Sequence, residues 1–240
     1  MSQRKLSEFL DELVPTVMGF LTFKSVKPDL ENFGNHYLGF GILSAWIAGV
    51  GRYWDHPNAD LWQYLGLGSV AYIFILALIL WLLILPLRPQ NWSFKSVLIF
   101  VGMTSPLAFV YAIPVEKFMD LVSAQFINLL FLLIVAVWRI SLLFRFLSRS
   151  ALLQEETLGI ALLFPMAIIV VVLSSLNLEH AILDLMAGMR GGGSGTLAYL
   201  VVSFLSLISV VASPVLTIWY LFIAGTNLKD IYDERRLKNR

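Results

Sequence analysis

Residues 65–87 read LGLGSVAYIFILALILWLLILPL, a run with no charged side chain. A bilayer's hydrocarbon core takes about 20 apolar residues of helix, so the run is long enough to cross one. It is apolar on every face and keeps no polar side for water, which suits a buried or lipid-solvated helix. Five further runs flank it. YLGFGILSAWIAGVGRYW (37–54) comes before it, and VLIFVGMTSPLAFVYAI (97–113) and LVSAQFINLLFLLIVAVWRISLL (121–143) come after. LGIALLFPMAIIVVVLSSL (158–176) and LAYLVVSFLSLISVVASPVLTIWYLFIA (197–224) complete the set. The runs at 37–54 and 97–113 are the shortest and the richest in small residues. Composition agrees with the runs: 58% of the 240 residues are hydrophobic, 14% are charged, and mean hydropathy is +0.80. A soluble domain of this size cannot hide that much apolar surface. The expected fold is all-α, a polytopic transmembrane bundle of six spans over residues 37–224.

Orientation follows from the lysines and arginines between the runs. With the N-terminus in the cytoplasm, only Arg52, Lys117 and Arg190 of the 17 basic residues fall on the far side. Both termini are therefore expected in the cytoplasm of a bacterial inner membrane. The start, MSQRKLSEFLDELV, places Glu8, Asp11 and Glu12 where the core of a cleavable signal peptide would begin, so the first span is expected to stay in place as an anchor. Within the segment 1–36, Leu6, Phe9, Leu10, Leu13 and Val14 recur at helical spacing opposite Arg4, Lys5, Glu8, Asp11 and Glu12. That pattern predicts an amphipathic helix along the cytoplasmic interface, docked on lipid or on the protein's own helices. Residues 225–240 read as a charged cytoplasmic tail.

Several polar or small positions stand out inside the spans. Gly41, Ala45 and Gly49 form a four-residue row that lets helix backbones approach, within the chain or across a dimer. Ser203, Ser206, Ser209, Ser213 and Thr217 fall on one face of the last span. Such hydroxyls line a polar path, bridge helices or bond their own backbone. Pro106, Pro165 and Pro214 each interrupt a span. Arg139 is the only charge well inside a run; it snorkels to cytoplasmic headgroups, meets a lipid phosphate or joins a buried pair. No buried acid suggests a proton relay.

The far-side loops concentrate titratable groups: Arg52, Asp55, His56 and Asp60, then Glu116 and Asp120, then Glu179, His180 and Asp184. If the loops converged, His56, His180 and the acids would suit zinc or another divalent ion. Residues 178–189 also read as an interfacial helix with Glu179, His180 and Asp184 on its wet face. The RGGGSGT that follows lacks the lysine and spacing of a phosphate loop and reads as a flexible link. No catalytic set and no cofactor is expected. The absence of cysteine excludes thiolate ligands and disulfides. A net charge of +1 argues against nucleic acid as a partner.

FKSVLIFVGMTSPLAFVYAIPVEKF followed by INLLFLLIVAVWRISLLFRFLSRS resembles the bacterial branch of the Yip-type membrane proteins, relatives of the Rab-GTPase-interacting factors. The resemblance covers about residues 88–176, with Pro106, Pro114 and Trp138 where that pattern has them. The acidic, tyrosine- and glycine-containing motifs of the eukaryotic family are missing, and six spans are expected where five are usual. The resemblance therefore implies a polytopic scaffold, and GTPase binding does not carry over. The leading expectation is a non-catalytic membrane scaffold, adaptor or assembly subunit, with the lipid bilayer and membrane-protein partners or a second copy as its contacts. A channel or transport subunit using the last span's polar face comes second, and a metal-dependent membrane enzyme third.

Overall fold

A computed structural model describes residues 3–24, 30–54, 60–176 and 197–238. All elements are helical, with no strand among the described residues. They are α1 (Gln3–Leu21), α2 (Leu30–Tyr53), α3 (Leu61–Tyr64), α4 (Leu67–Ile84), α5 (Phe94–Met103), α6 (Leu121–Arg149), α7 (Glu155–Ser175) and α8 (Leu197–Lys238). Short 3-10 turns follow α4 and precede α6, and an eight-residue 3-10 segment, Ser105–Ala112, continues the line of α5.

Five stretches are long and apolar enough to cross a membrane: Leu67–Leu87, Phe94–Ala112, Val122–Arg149, Glu155–Ser175 and Leu200–Lys229. The chain is thus an integral membrane protein in character. The sequence expectation counts a sixth span at 37–54. There the structure has a 24-residue helix, α2, diluted by Asn35, His36 and Arg52, and it is not among the five.

Four of the five carry lipid-compatible outer faces and leave most of their residues unburied, whereas Phe94–Ala112 is the most enclosed. Val97 to Met103 are all buried. Around this central strut lie α1, α2, α4 and α6. Phe100 stacks on Phe146 with ring centroids 4.3 Å apart, and Phe20 of α1 meets it edge-on at 6.0 Å. The long α8 packs mainly on α7, where Phe164 and Tyr220 stack at 4.1 Å. The Tyr220 hydroxyl donates to the Leu83 carbonyl at 2.8 Å. That carbonyl lies in the last turn of α4, where no intrahelical donor remains for it.

The two ends of the bundle are distinguishable by contact. At one, the Gln90 N–H donates to the Ala151 carbonyl at 2.7 Å and Asn227 reaches the Pro86 carbonyl at 3.4 Å. At the other, Lys117 Nζ lies 4.3 Å from the centre of the Trp54 ring. Helix α1 continues to Leu21, seven residues past Val14, the last residue of the amphipathic pattern, and it docks on the chain itself. Phe9 packs on Phe33, His36 and Tyr37, the Tyr37 hydroxyl donates to Glu12 at 3.0 Å, and Trp138 Nε1 donates to the Leu21 carbonyl at 2.8 Å. Leu10, Val14 and Met18 form an exposed apolar row on its other face.

Candidate functional site

The site begins where the central strut breaks. Pro106 has no N–H to return to Gly102, so the α-helical ladder of α5 stops at Met103. The chain tightens into the 3-10 segment, and the Thr104 hydroxyl donates to the Val101 carbonyl at 2.7 Å. Thr104 and Ser105 are buried at this break. A change from α to 3-10 geometry along one rod often marks a hinge or a local strain.

Glycines bring α2 against both halves of the broken strut. A Cβ on Gly41 would lie 2.7 Å from Gly102 Cα, and one on Gly51 would lie 2.8 Å from Ala112 Cβ. On the α4 side, Gly66 sits in the left-handed region at φ 64° and passes under Trp46, whose Nε1 donates to the Leu65 carbonyl at 2.9 Å. Ala45 and Ala48 are buried on the same face of α2, and Arg52 follows one turn later. This register drives Arg52 into the bundle, where its guanidinium carbon lies 5.0 Å from the centre of the Tyr111 ring.

Arg52 meets Arg139 there. Both line one cavity of about 40 Å³, together with Ala45, Ala48, Ser69, Tyr72, Thr104 and Ser105. A cleft of about 210 Å³ continues from it, sharing Tyr72, Val101, Thr104 and Arg139, and adding Tyr111 and apolar walls from α4, α6 and α7. No aspartate or glutamate lines either space among the described residues. Arg139 Nε is buried and has no hydrogen-bond partner among the described residues. Taking an ion out of water costs several kcal/mol even after relaxation, so the cavity suits something negative or strongly dipolar.

The chain matches no family model, no curated protein and no solved structure. Geometry alone therefore bears on its function.

The remaining sequence candidates distribute as follows. Gly41, Ala45 and Gly49 all pack within the chain, against α5 and the start of α4, and Ala45 belongs to the cavity wall. Of the hydroxyl row on α8, Ser206 is buried and Ser203, Ser209, Ser213 and Thr217 are half-buried. Ser213 donates to the Val210 carbonyl at 2.9 Å and Thr217 to the Ser213 carbonyl at 2.7 Å, so both return to their own helix. None of the five lines the cavity or the cleft. Asp55, His56, Glu179, His180 and Asp184 lie outside the described residues, as do the interfacial helix expected at 178–189 and the glycine link. Among the described residues no cluster of histidine and acids is placed to hold a metal. Asp120 caps α6, accepting from the Ser123 N–H at 3.1 Å. Hydrogen bonding from Ser123, through side chain and backbone, holds the Asp120 carboxyl below the usual carboxylate range.

Sequence reading found Arg139 but assigned Arg52 to a far-side loop. The signal was present: Ala45, Ala48 and Arg52 share one helical face at spacings of three and four. Tyr72, Tyr111 and Thr104 carried no pattern that distinguishes them from ordinary span residues.

Proposed function

We propose that this chain is a non-catalytic, six-span protein of a bacterial cytoplasmic membrane whose bundle holds an anionic ligand. The observation that carries the reading is the convergence of Arg139 and Arg52 on one internal cavity with no acidic residue in its described lining. Ionisable groups at membrane depth are costly and are kept where they contact a substrate, a relay or a partner charge. The break at Thr104–Ser105 supports it further, since binding sites in membrane bundles are often built beside discontinuous helices. Holding is favoured over chemistry, because the described lining offers no acid or imidazole to act as a base. The scaffold expectation rests on absences, whereas the two arginines are a positive feature with a definite charge. A path along the α8 hydroxyls gains no support, because that helix lines neither space.

Six spans are supported by the course of α2. Gly34 lies beside Lys95, Gly41 beside Gly102 and Gly51 beside Ala112, so α2 accompanies Phe94–Ala112 along its length and in the same direction. Whatever thickness that stretch crosses, α2 crosses with it. The interfacial role of α1 follows from its exposed Leu10, Val14 and Met18.

Thermal unfolding of the full-length protein in a neutral detergent tests the reading, with inorganic phosphate or phosphatidylglycerol added. A ligand that binds only the folded state raises the midpoint by mass action. At least one of the two anions is expected to raise it in the wild type and to leave Arg139→Gln unmoved. No shift with either would return the chain to the scaffold class.

A further inference from the structure

We infer that the anion is the headgroup of a membrane lipid, seated at Arg139 with an acyl chain in the adjoining cleft; this rests on the anion-holding reading above. The cleft sets a few polar side chains among hydrocarbon walls. Tyr72 stands near the start of α4 and Tyr111 near the end of the 3-10 segment, so both lie toward the end that carries Trp54 and Lys117. In the other direction the walls become hydrocarbon: Leu76 and Leu80 of α4, Leu143 of α6, Phe100 of α5. Tyr72 is five residues into α4, about 8 Å along its axis. On α6, however, Arg139 lies 18 residues past Leu121, about 27 Å of helix, with Leu132 and Val135 before it and Leu143 after it. The charge therefore stands within an apolar cleft, and a ligand seated there brings hydrocarbon beside its negative group, as a phospholipid does.

Charge and shape choose between a lipid and a small soluble anion. A guanidinium offers paired donors that match two phosphate oxygens, so phosphate chemistry fits Arg139 in either source. A free anion would leave water entirely to reach it and would fill only the space beside the polar side chains. The remaining cleft is partly open between α4 and α6, which make little direct contact, and its lining is overwhelmingly apolar. An acyl chain gains about 0.8 kcal/mol per CH₂ when it is withdrawn from water, but nothing comparable on moving from bilayer to protein. Selection must therefore come from the charge, with the cleft admitting the chain rather than attracting it. The preference expected is for negative over zwitterionic lipid at equal chain length.

The experiment uses the full chain, stripped of lipid in neutral detergent, with retained lipid read by native mass spectrometry and affinity by the thermal midpoint. Three probes are compared: phosphatidylglycerol, phosphatidylcholine with the same chains, and glycerol phosphate without chains. Phosphatidylglycerol is expected to bind about tenfold more tightly than either of the others, a margin of one decade in Kd. Arg139→Gln should abolish that margin, and Arg149→Gln, at the exposed end of α6, should keep it. Filling the cleft with Met166→Trp should weaken both lipids and leave glycerol phosphate unchanged. Glycerol phosphate binding as well as phosphatidylglycerol would overturn the lipid inference and leave the anion reading standing. Equal binding of the two lipids, or a margin that survives in Arg139→Gln, would overturn the lipid site. Binding of none of the three would overturn both readings. The wild-type comparison needs no variant to fold.

Discussion

Gly39 and Gly41, only one residue between them on α2, make opposite demands on a substituent. A Cβ at Gly41 would meet Gly102 Cα at 2.7 Å and its carbonyl carbon at 2.8 Å, while nothing lies within 4 Å of one at Gly39. Gly41→Ala must push α2 and α5 away from each other, which costs about 1–3 kcal/mol as overpacking does elsewhere. Gly39→Ala relieves a helix-interior glycine and should gain roughly 0.5–1 kcal/mol. Thermal unfolding of the two variants should therefore move in opposite directions. A second residue-scale consequence concerns Asp120. Its carboxyl is held low by Ser123, so its contribution to the start of α6 is complete above the ordinary carboxylate range and is lost as pH falls through the depressed value. Hydrogen exchange at the first amides of α6 should accelerate over that acid window in the wild type and show no such step in Asp120→Asn. At this scale the sequence exposed Arg139, because a charge in an apolar run needs no partner to be noticed. Arg52 lay hidden, because its depth depends on how closely Gly49 and Gly51 let α2 approach its neighbours.

Among the elements, the broken strut is the one whose form decides the site. Pro106 fixes the point at which α geometry gives way to 3-10 geometry. Pro106→Ala restores an N–H for Gly102 and lets the α ladder continue past Thr104. The 3-10 rise is about 2.0 Å per residue against 1.5 Å for the α-helix, so the change would shorten the strut and rotate Tyr111 away from Arg52. The expected outcome is a protein that unfolds at the same or a higher temperature but loses its midpoint shift with phosphatidylglycerol. An unchanged shift would mean that the break does not position the site. The sequence located this proline but gave it the same standing as Pro165 and Pro214, which lie within continuous helices. What separates Pro106 from them is tertiary: α2 is pressed against the strut on either side of the break. The apolar period of α1 was legible in Phe9 and Leu13, but its partners Phe33 and Tyr37 were not.

For the molecule as a whole, the number of crossings is the property most open to direct measurement. The chain has no cysteine, so any introduced one is a unique label. In the six-span arrangement Asp60→Cys should react with an impermeant maleimide from outside intact cells, whereas Ser93→Cys, Ser150→Cys and Asn227→Cys should react only after permeabilisation. The Gln90–Ala151 and Asn227–Pro86 contacts gather the last three at one end of the bundle. Labelling of Asp60→Cys and Ser93→Cys from the same side would remove α4 from the crossing set, and labelling of Thr22→Cys, before α2, from the same side as Asp60→Cys would remove α2. Membrane character and five of the apolar helices were legible because lipid imposes a length and a composition that no partner helix needs to supply. The sixth was ambiguous for the same reason in reverse: one face of α2 packs on α4 and the strut, and that shelter admits Arg52, while Asn35 stands exposed near its start and His36 packs on Phe9 and Phe33.

Helix α8 is 42 residues long, about 63 Å if straight, against about 40–45 Å for a bilayer with its headgroups. Some 20 Å of rigid rod therefore stands clear of the membrane. Its apolar stretch starts at Leu200, almost at the helix's first residue, so nearly all of that excess projects at the Lys238 end. At physiological salt an exposed charge is felt over only about 8 Å. Arg236, exposed near that end, is thus carried out of electrostatic reach of the lipid headgroups, and the composition of the membrane surface cannot set what it meets.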